Sequence, residues 1–464
     1  MPADTDLCRD IAAHTADTTF EKLPLQAVEG AKKTLLDTVG VTLAAGGMEP
    51  AVRGAIDFAN ESGGRGESSV LGFGGRVPAV MAAFANGAMA HCLDYDDQTP
   101  WGQHAASSLV PAALAVAERV AGERGGVSGR DLITALAIGQ DLFNRFRRTI
   151  DWRKDWNFST TMGVYGATAA CGFLLRLSRE QIAHSLGIAS MQSCGTAAVL
   201  NSVGSDLRAM YAGFPARGAV TAALLAQKGI TGVPHLFEAK HGVLDLYFGN
   251  RFDRAGFLDG LGTDYTGGLT LYKRWPAVGT AHSHIHATLE LVKAHTLAAS
   301  DIAEIRVFVG DYHRLMSEPL EARRAPATLV DAKFSLPFLV AVAAVRGEMS
   351  LNDFTEAGLS NPGVLAAARK IVLVDDRSLD WKLALPAGRV EIVMRDGRRF
   401  ERVGTHVPGN PEAPMGWADI VRKFVDCASF APRAIAAEDV AAVHAAVERL
   451  ETIEDATTII SRLA

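Results

Sequence analysis

Apolar residues recur at three- and four-residue spacing through most of the first 265 positions, and that period predicts helices. QAVEGAKKTLLDTVGVTLA and PAALAVAERVAGE are the clearest examples, with Gly or Pro punctuating the gaps between segments. REQIAHSLGIASMQSCGTAAVL (179–200) is apolar on most sides, which predicts one helix buried inside a bundle. MGVYGATAACGF holds Gly163, Gly166 and Gly172 in its interior. Each such glycine weakens a helix by roughly 1 kcal/mol, so they make sense only where helices, or a ligand, approach unusually closely.

After Tyr265 the pattern changes. IAEIRVFVGD (302–311) and KIVLVDD (370–376) alternate apolar and polar residues as strands do. RVEIVMRDGRRFERV (389–403) reads as a hairpin turning at Asp396-Gly397. Helical stretches at 283–298 and 335–348 lie among these strands, so this part predicts an α+β unit. From about Gly409 the pattern is helical again, most clearly in AAEDVAAVHAAVERLETI. The predicted fold class is mainly α: a large all-helical domain from residues 1–266 and 405–464, and a smaller α+β lid domain at 267–404.

Composition narrows the possibilities without changing that plan. The 464 residues exceed one compact core, and 48% hydrophobic with 21% charged residues fits a soluble globular chain. The net charge of −6 is interspersed and no basic stripe exists, which argues against nucleic acid as a partner. Five scattered cysteines, with no C-x-x-C pair, indicate neither a disulfide framework nor a zinc ribbon. The N-terminus lacks a secretory pattern. The longest apolar run, Leu336 to Val345, is too short to span a bilayer, so neither a membrane nor export is expected and the expected location is cytoplasmic.

Four stretches hold candidate chemistry. HCLDYDDQTP (91–100) places Asp94, Asp96 and Asp97 close together, with His104 beyond. As a calcium loop starting at Asp94 it fails, because Thr99 stands where glycine is needed and Ala105 where a bidentate Glu is needed. A looser magnesium site and a solvated acidic turn are the alternatives; the flanking small-residue apolar helices favour a corner beside a cleft. HSHIH (282–286) would form a metal triad on a strand, but its context is helical and reads as helix-start histidines. LYKRWPAVGTAHSH places Lys273 and Arg274 at the junction of the two domains, either as a hinge surface or as a carboxylate clamp. SDLRAMYAGFPARG sets Arg208, Tyr211, Gly213 and Arg217 near a helix start, where anions are favoured.

AHCLDYDDQ with its following His104, YKRWP at Tyr272 to Pro276, FSLP at Phe334 to Pro337, and Gly409-Asn410-Pro411 with Pro414-Met415 and Lys423-Phe424 resemble, in the same order, motifs of the MmgE/PrpD family. That family includes 2-methylcitrate dehydratases, cis-aconitate decarboxylases and an iminodisuccinate epimerase. The resemblance implies a helical domain built from both ends of the chain, an α/β lid, a homodimer, and an active site between domain and lid. It implies no cofactor, and on the motifs above no metal is expected. By position Asp94, His104 and Lys273 match active-site residues of the family. Four departures mark this chain. Gln98 replaces the usual Thr, Arg208 replaces an active-site Lys, Ala105-Ala106-Ser107 follows the histidine in place of Pro-Ser, and Asn157-Phe158-Ser159 lacks the usual His-Pro. Tyr312 is the nearest candidate for the lid tyrosine.

On this resemblance the expected substrate is a small anionic di- or tricarboxylate that loses a proton or a carboxylate beside a carboxylate-bearing carbon. His104 is the expected general acid/base, with an ordinary pKa already near neutral, and Asp94 the group that orients or tunes it. Arg208 and Lys273 would hold carboxylates; alternatively Lys273 moves the proton if a dry cleft lowers its pKa. Gln98, Tyr312 and Arg274 complete the expected substrate contacts. A dehydratase-like lyase is the first expectation, epimerisation the second and decarboxylation the third; a carboxylate-binding protein without turnover is the non-enzymatic alternative.

Overall fold

The computed structural model describes residues 6–201, 205–382 and 384–464. Its helical part is a stack of long helices whose ends follow from local sequence. Ser128 caps Gly129–Thr149 by accepting from Asp131 N, and Ser178 with Gln181 forms a reciprocal capping box on Arg179–Ala189. Gly125, in the left-handed region at φ 89°, ends the Ala106–Arg124 helix.

The interior glycines are explained by close packing. A Cβ on Gly166 would lie 2.6 Å from the Gly139 carbonyl oxygen, so Phe158–Leu174 and Gly129–Thr149 touch backbone to backbone. A Cβ on Gly87 would lie 2.9 Å from Gly213 Cα, bringing Ala79–Cys92 against Gly213–Gln227 in the same way. Aromatic side chains fill the wider spaces. Phe143, Phe146 and Phe158 are fully buried, and each contributes about 1.5–3 kcal/mol relative to exposure.

Strands β1 (Ser68–Val70) and β2 (Gly75–Val77) form a small antiparallel ribbon within the helical part, too short for the alternation to have predicted it. The other four strands, β3 (Ile302–Val309), β4 (Ile371–Asp375), β5 (Gly388–Met394) and β6 (Arg399–Gly404), form one sheet in the order β4-β3-β5-β6. The β3–β4 pair is parallel and the other two are antiparallel. Val390, Ile392 and Met394 are buried on one face of β5. On the other, Glu391 pairs with Arg306 at 3.1 Å and Arg399 at 3.3 Å. Gly397, at φ 89°, makes the expected hairpin turn between β5 and β6.

The sequence expectation fails at one helix. The segment 179–200 is not one buried helix: its first α-helix ends at Ala189, a single 3-10 turn follows, Met191 is 82% exposed, and α-structure resumes only with the short helix Ala198–Asn201. Gly195 at φ 124° turns the chain, and Thr196 pairs with Trp156 in an isolated antiparallel bridge. A mainly apolar composition therefore mimicked a longer helix. The chain returns to the helical part through Trp417–Ala428, packed on Leu25–Met48 and joined to it by a buried Lys423–Asp37 ion pair of 2.7 Å. Among the described residues no helix is long and apolar enough to cross a membrane.

Candidate active site

Ala79–Cys92 and Ala106–Arg124 meet at a corner whose loop holds the acidic cluster. Asp94, Asp96 and Asp97 are at most 2% exposed, so the solvated-turn alternative fails. The loop is fixed to the YKRWP segment by reciprocal backbone hydrogen bonds between Gln98 and Leu271, at 2.9 and 2.7 Å. Two residues further on, the Lys273 ammonium donates to the Asp94 carbonyl at 2.8 Å and forms a close ion pair with the Asp94 carboxylate. Burial opposes ionisation of Asp94, but the Lys273 charge holds its carboxyl below the usual carboxylate range.

Arg274 faces the other way. Tyr272, Lys273 and Trp275 are all buried, whereas Arg274, at a bend in the chain, is exposed and not among the cavity-lining residues. Only its carbonyl takes part in the corner, accepting from the Tyr95 hydroxyl at 3.1 Å. Arg217 is likewise not a lining residue; its guanidinium lies 5.4 Å from the Phe84 ring.

The histidine geometry departs from the expectation that Asp94 orients His104. His104 Nδ1 lies 2.6 Å from the Asp97 carbonyl and 3.1 Å from an Asp96 carboxylate oxygen, whereas Asp94 lies 3.8 Å from Nε2. Both neighbours of Nδ1 are acceptors, so Nδ1 carries the proton and the neutral ring presents its lone pair at Nε2. Asp96 also meets His91 Nδ1, at 3.1 Å, and so bridges two imidazoles. Burial, the largest single influence, would lower the His104 pKa; the charge and hydrogen bond of Asp96, with the Asp94 charge, together outweigh it, and the net shift is upward from 6.5. His91 shifts downward because burial dominates, despite the same carboxylate. Asp97 is raised to about 7 by burial and by Asp96 beside it, while its Oδ1 accepts from Ala106 N at the start of the next helix.

A cavity of about 320 Å³ opens in front of His104. One wall comes from the helical part, with His91, Asp94, Gln98, His104, Arg208 and Tyr211; the other comes from the α+β part, with Gly279, Tyr312, Phe334 and Trp381. Arg208 is 5% exposed and its guanidinium lies 3.5 Å from the Phe334 ring centroid. Burial and Arg323 lower its pKa to about 10, which leaves it charged at neutral pH. The Gln98 amide fills the space over Gly279, where a Cβ would meet Oε1 at 1.8 Å. Tyr211 packs on the His91 ring at 4.3 Å and Tyr312 on the Trp381 ring at 5.3 Å. Burial raises both hydroxyl pKa values. Asp94, Gln98, His104, Arg208 and Tyr312 thus share one cavity, with Lys273 behind Asp94.

Sequence reasoning missed three participants. His91 and Tyr211 stood in the stretches singled out but received no role. Lys333 reads as an ordinary residue before FSLP, yet it is fully buried, with Asp94, Glu49 and Arg208 among the charges that act on it.

The ligand atoms of His91, Asp94, Asp96 and His104 lie within 4.8 Å of one another, close enough to surround a metal ion. The cation that this carboxylate cluster calls for is already supplied by Lys273, and both Nδ1 atoms are committed to Asp96. The HSHIH histidines lie on the His282–His295 helix: His282 and His284 meet the carbonyls of Ala277 and Phe308, and burial lowers both to about 3. Dialysis against a strong chelator is therefore expected to leave turnover unchanged, measured as kcat before and after.

The profile of the MmgE/PrpD N-terminal domain matches residues 9–255, and that of the MmgE/PrpD C-terminal domain matches 275–451. A cis-aconitate decarboxylase-like protein of Aspergillus oryzae is 26% identical over 466 residues, covering 95% of this chain and 94% of the relative. Human cis-aconitate decarboxylase is 22% identical over 396 residues, covering 84% and 80%. A 2-methylcitrate dehydratase of Cupriavidus necator is 23% identical over 407 residues, covering 82% and 81%.

Proposed function

The chain belongs to the MmgE/PrpD family, and on that premise we propose that it is a cofactor-independent lyase acting on a small di- or tricarboxylate. The observation that carries this reading is His104: its Nδ1–H is fixed by two acceptors, and its residue lines the cavity beside the buried cation Arg208. Arg208 grips a substrate carboxylate through its planar fork, which also accepts the charge that develops there. His104 Nε2 removes the proton from the adjacent carbon. The electron pair forms the new double bond as hydroxide leaves the neighbouring carbon, taking a proton from Tyr211 to depart as water. Burial raises the Tyr211 pKa and so opposes that transfer, which is driven by the basicity of the departing hydroxide. Lys273 holds Asp94 ionised behind the reaction, which supports a structural and electrostatic part for that lysine in place of direct carboxylate binding.

Decarboxylation is the second reading, favoured by the decarboxylase names among the relatives. There the carboxylate leaves as carbon dioxide and protonated His104 delivers a proton to the carbon. Incubation with cis-aconitate, 2-methylcitrate and related acids in deuterium oxide separates the outcomes. Loss of water supports the dehydratase; carbon dioxide with solvent deuterium in the product supports the decarboxylase. Deuterium in substrate of unchanged formula would indicate an epimerase instead, and carboxylate binding without any of these changes would indicate a non-catalytic protein.

A further inference from the structure

The wall of the cavity formed by Gln103, Trp152 and Tyr312 is backed by a buried cation that the reaction above does not use. Arg147 lies in the last turn of Gly129–Thr149 and is 1% exposed. Its Nε donates to Gln103 Oε1 at 2.5 Å, and its guanidinium lies 5.3 Å from the Trp152 ring centroid and 5.4 Å from that of Phe158. Nη1 has no hydrogen-bond partner among the described residues. Burial lowers its pKa to about 10, opposed only by Tyr312, so no carboxylate offsets the charge that it keeps at neutral pH.

Arg145, two residues earlier, shows how this fold treats a structural arginine. It is fully buried, pairs with Asp141 at 2.6 Å, and donates to the carbonyls of Phe257, Asp259, Gly260 and Asp264. Nothing comparable surrounds Arg147. A buried polar group left unsatisfied is destabilising and calls for an explanation. Gln103 adds a second sign of design for a ligand. It is a cavity residue at φ 67°, a conformation that non-glycine residues rarely adopt and that clusters at ligand sites, and the Thr99 N to Gln103 O hydrogen bond of 3.0 Å helps to hold it there.

We propose that Gln103, a cavity residue whose amide oxygen Arg147 holds from behind the wall, anchors the substrate's second carboxylate, the one farther from the reacting carbon, with the Arg147 charge acting through it. This rests on the carboxylate reading above and deepens it: Arg208 serves the reacting end and Gln103, backed by Arg147, the distal end, so the site selects acids with two separated carboxylates over monoacids. The guanidinium suits this task because its charge is permanent and its hold on Gln103 Oε1 leaves the amide NH2 of Gln103 as the donor.

Calorimetric titration of the full chain with glutarate and with butyrate, which lacks the distal carboxylate, tests the anchor without requiring turnover. The unaltered protein is expected to bind glutarate at least tenfold tighter than butyrate. Arg147→Met should abolish most of that ratio while leaving butyrate binding unchanged, and Arg147→Lys should keep part of it. Thermal stability of Arg147→Met is expected to hold or rise, whereas removing a purely structural arginine would lower it. An unchanged ratio in folded Arg147→Met or Arg147→Lys, or an equal loss for both ligands, would overturn the anchor alone. Failure of the unaltered protein to bind either acid would overturn the carboxylate reading and the anchor with it.

Discussion

Replacing His104 with glutamine is expected to lower kcat by about 10²- to 10⁴-fold, the range that general acid–base groups contribute, while carboxylate affinity changes by only a few-fold. Glutamine retains an amide donor that can reach the Asp97 carbonyl and the Asp96 carboxylate, so the loop keeps its hydrogen bonds. What disappears is a titrating nitrogen beside the cavity. Arg208 is supplied by a separate element and is untouched. Steady-state kinetics with a binding titration on the same preparation distinguishes loss of chemistry from loss of the site. Full activity in His104→Gln would move the proton-transfer role elsewhere.

Replacing Lys273 with methionine is expected to cost about 3–5 kcal/mol of folding stability, because it leaves Asp94 charged and buried with its main partner gone. The pH dependence of that loss has a definite sign. In the unaltered protein the Asp94 carboxyl is depressed below 3.8, so the pair contributes stability above that value and loses it as pH falls through the depressed one. Without Lys273, burial raises the same carboxyl above 3.8. The variant should then be penalised least in acid and progressively more as pH rises through the raised value. Adding Asp94→Asn should recover most of the loss at neutral pH, since an amide carries no charge to strand. Urea unfolding of the single and double variants from pH 4 to 8 measures both effects; equal destabilisation in both would contradict the buried-pair account.

The parts legible in the sequence were those set by local rules. Alternation identified the strands of the larger sheet, and Asp396-Gly397 its hairpin, because period and turn chemistry are local properties. His104, Asp94 and Gln98 were legible because one contiguous loop carries all three. The division of labour within that loop was not, because it depends on which carboxylate the fold turns toward each ring. Asp96 bridges His91 and His104, while Asp94 is taken by a lysine 179 positions away. Arg274 was misread because its exposure at a bend in the chain is set by the fold and leaves no mark on the YKRWP motif. Arg147 had no motif to mark it. It lies 44 positions from Gln103, and only the absence of the partners that Arg145 enjoys sets it apart.

The central claim is that Asp96 tunes His104 as the proton-transfer group. It is tested most directly by the pH dependence of kcat/KM for the unaltered protein and for Asp96→Asn. With His104 acting as base, kcat/KM should rise with pH; with His104 acting as acid, it should fall. In either case the midpoint should lie above 6.5 in the unaltered protein, because Asp96 raises the imidazole pKa against the effect of burial. Removing that charge should move the midpoint to lower pH. A midpoint that stays in place or moves to higher pH in Asp96→Asn would contradict the account.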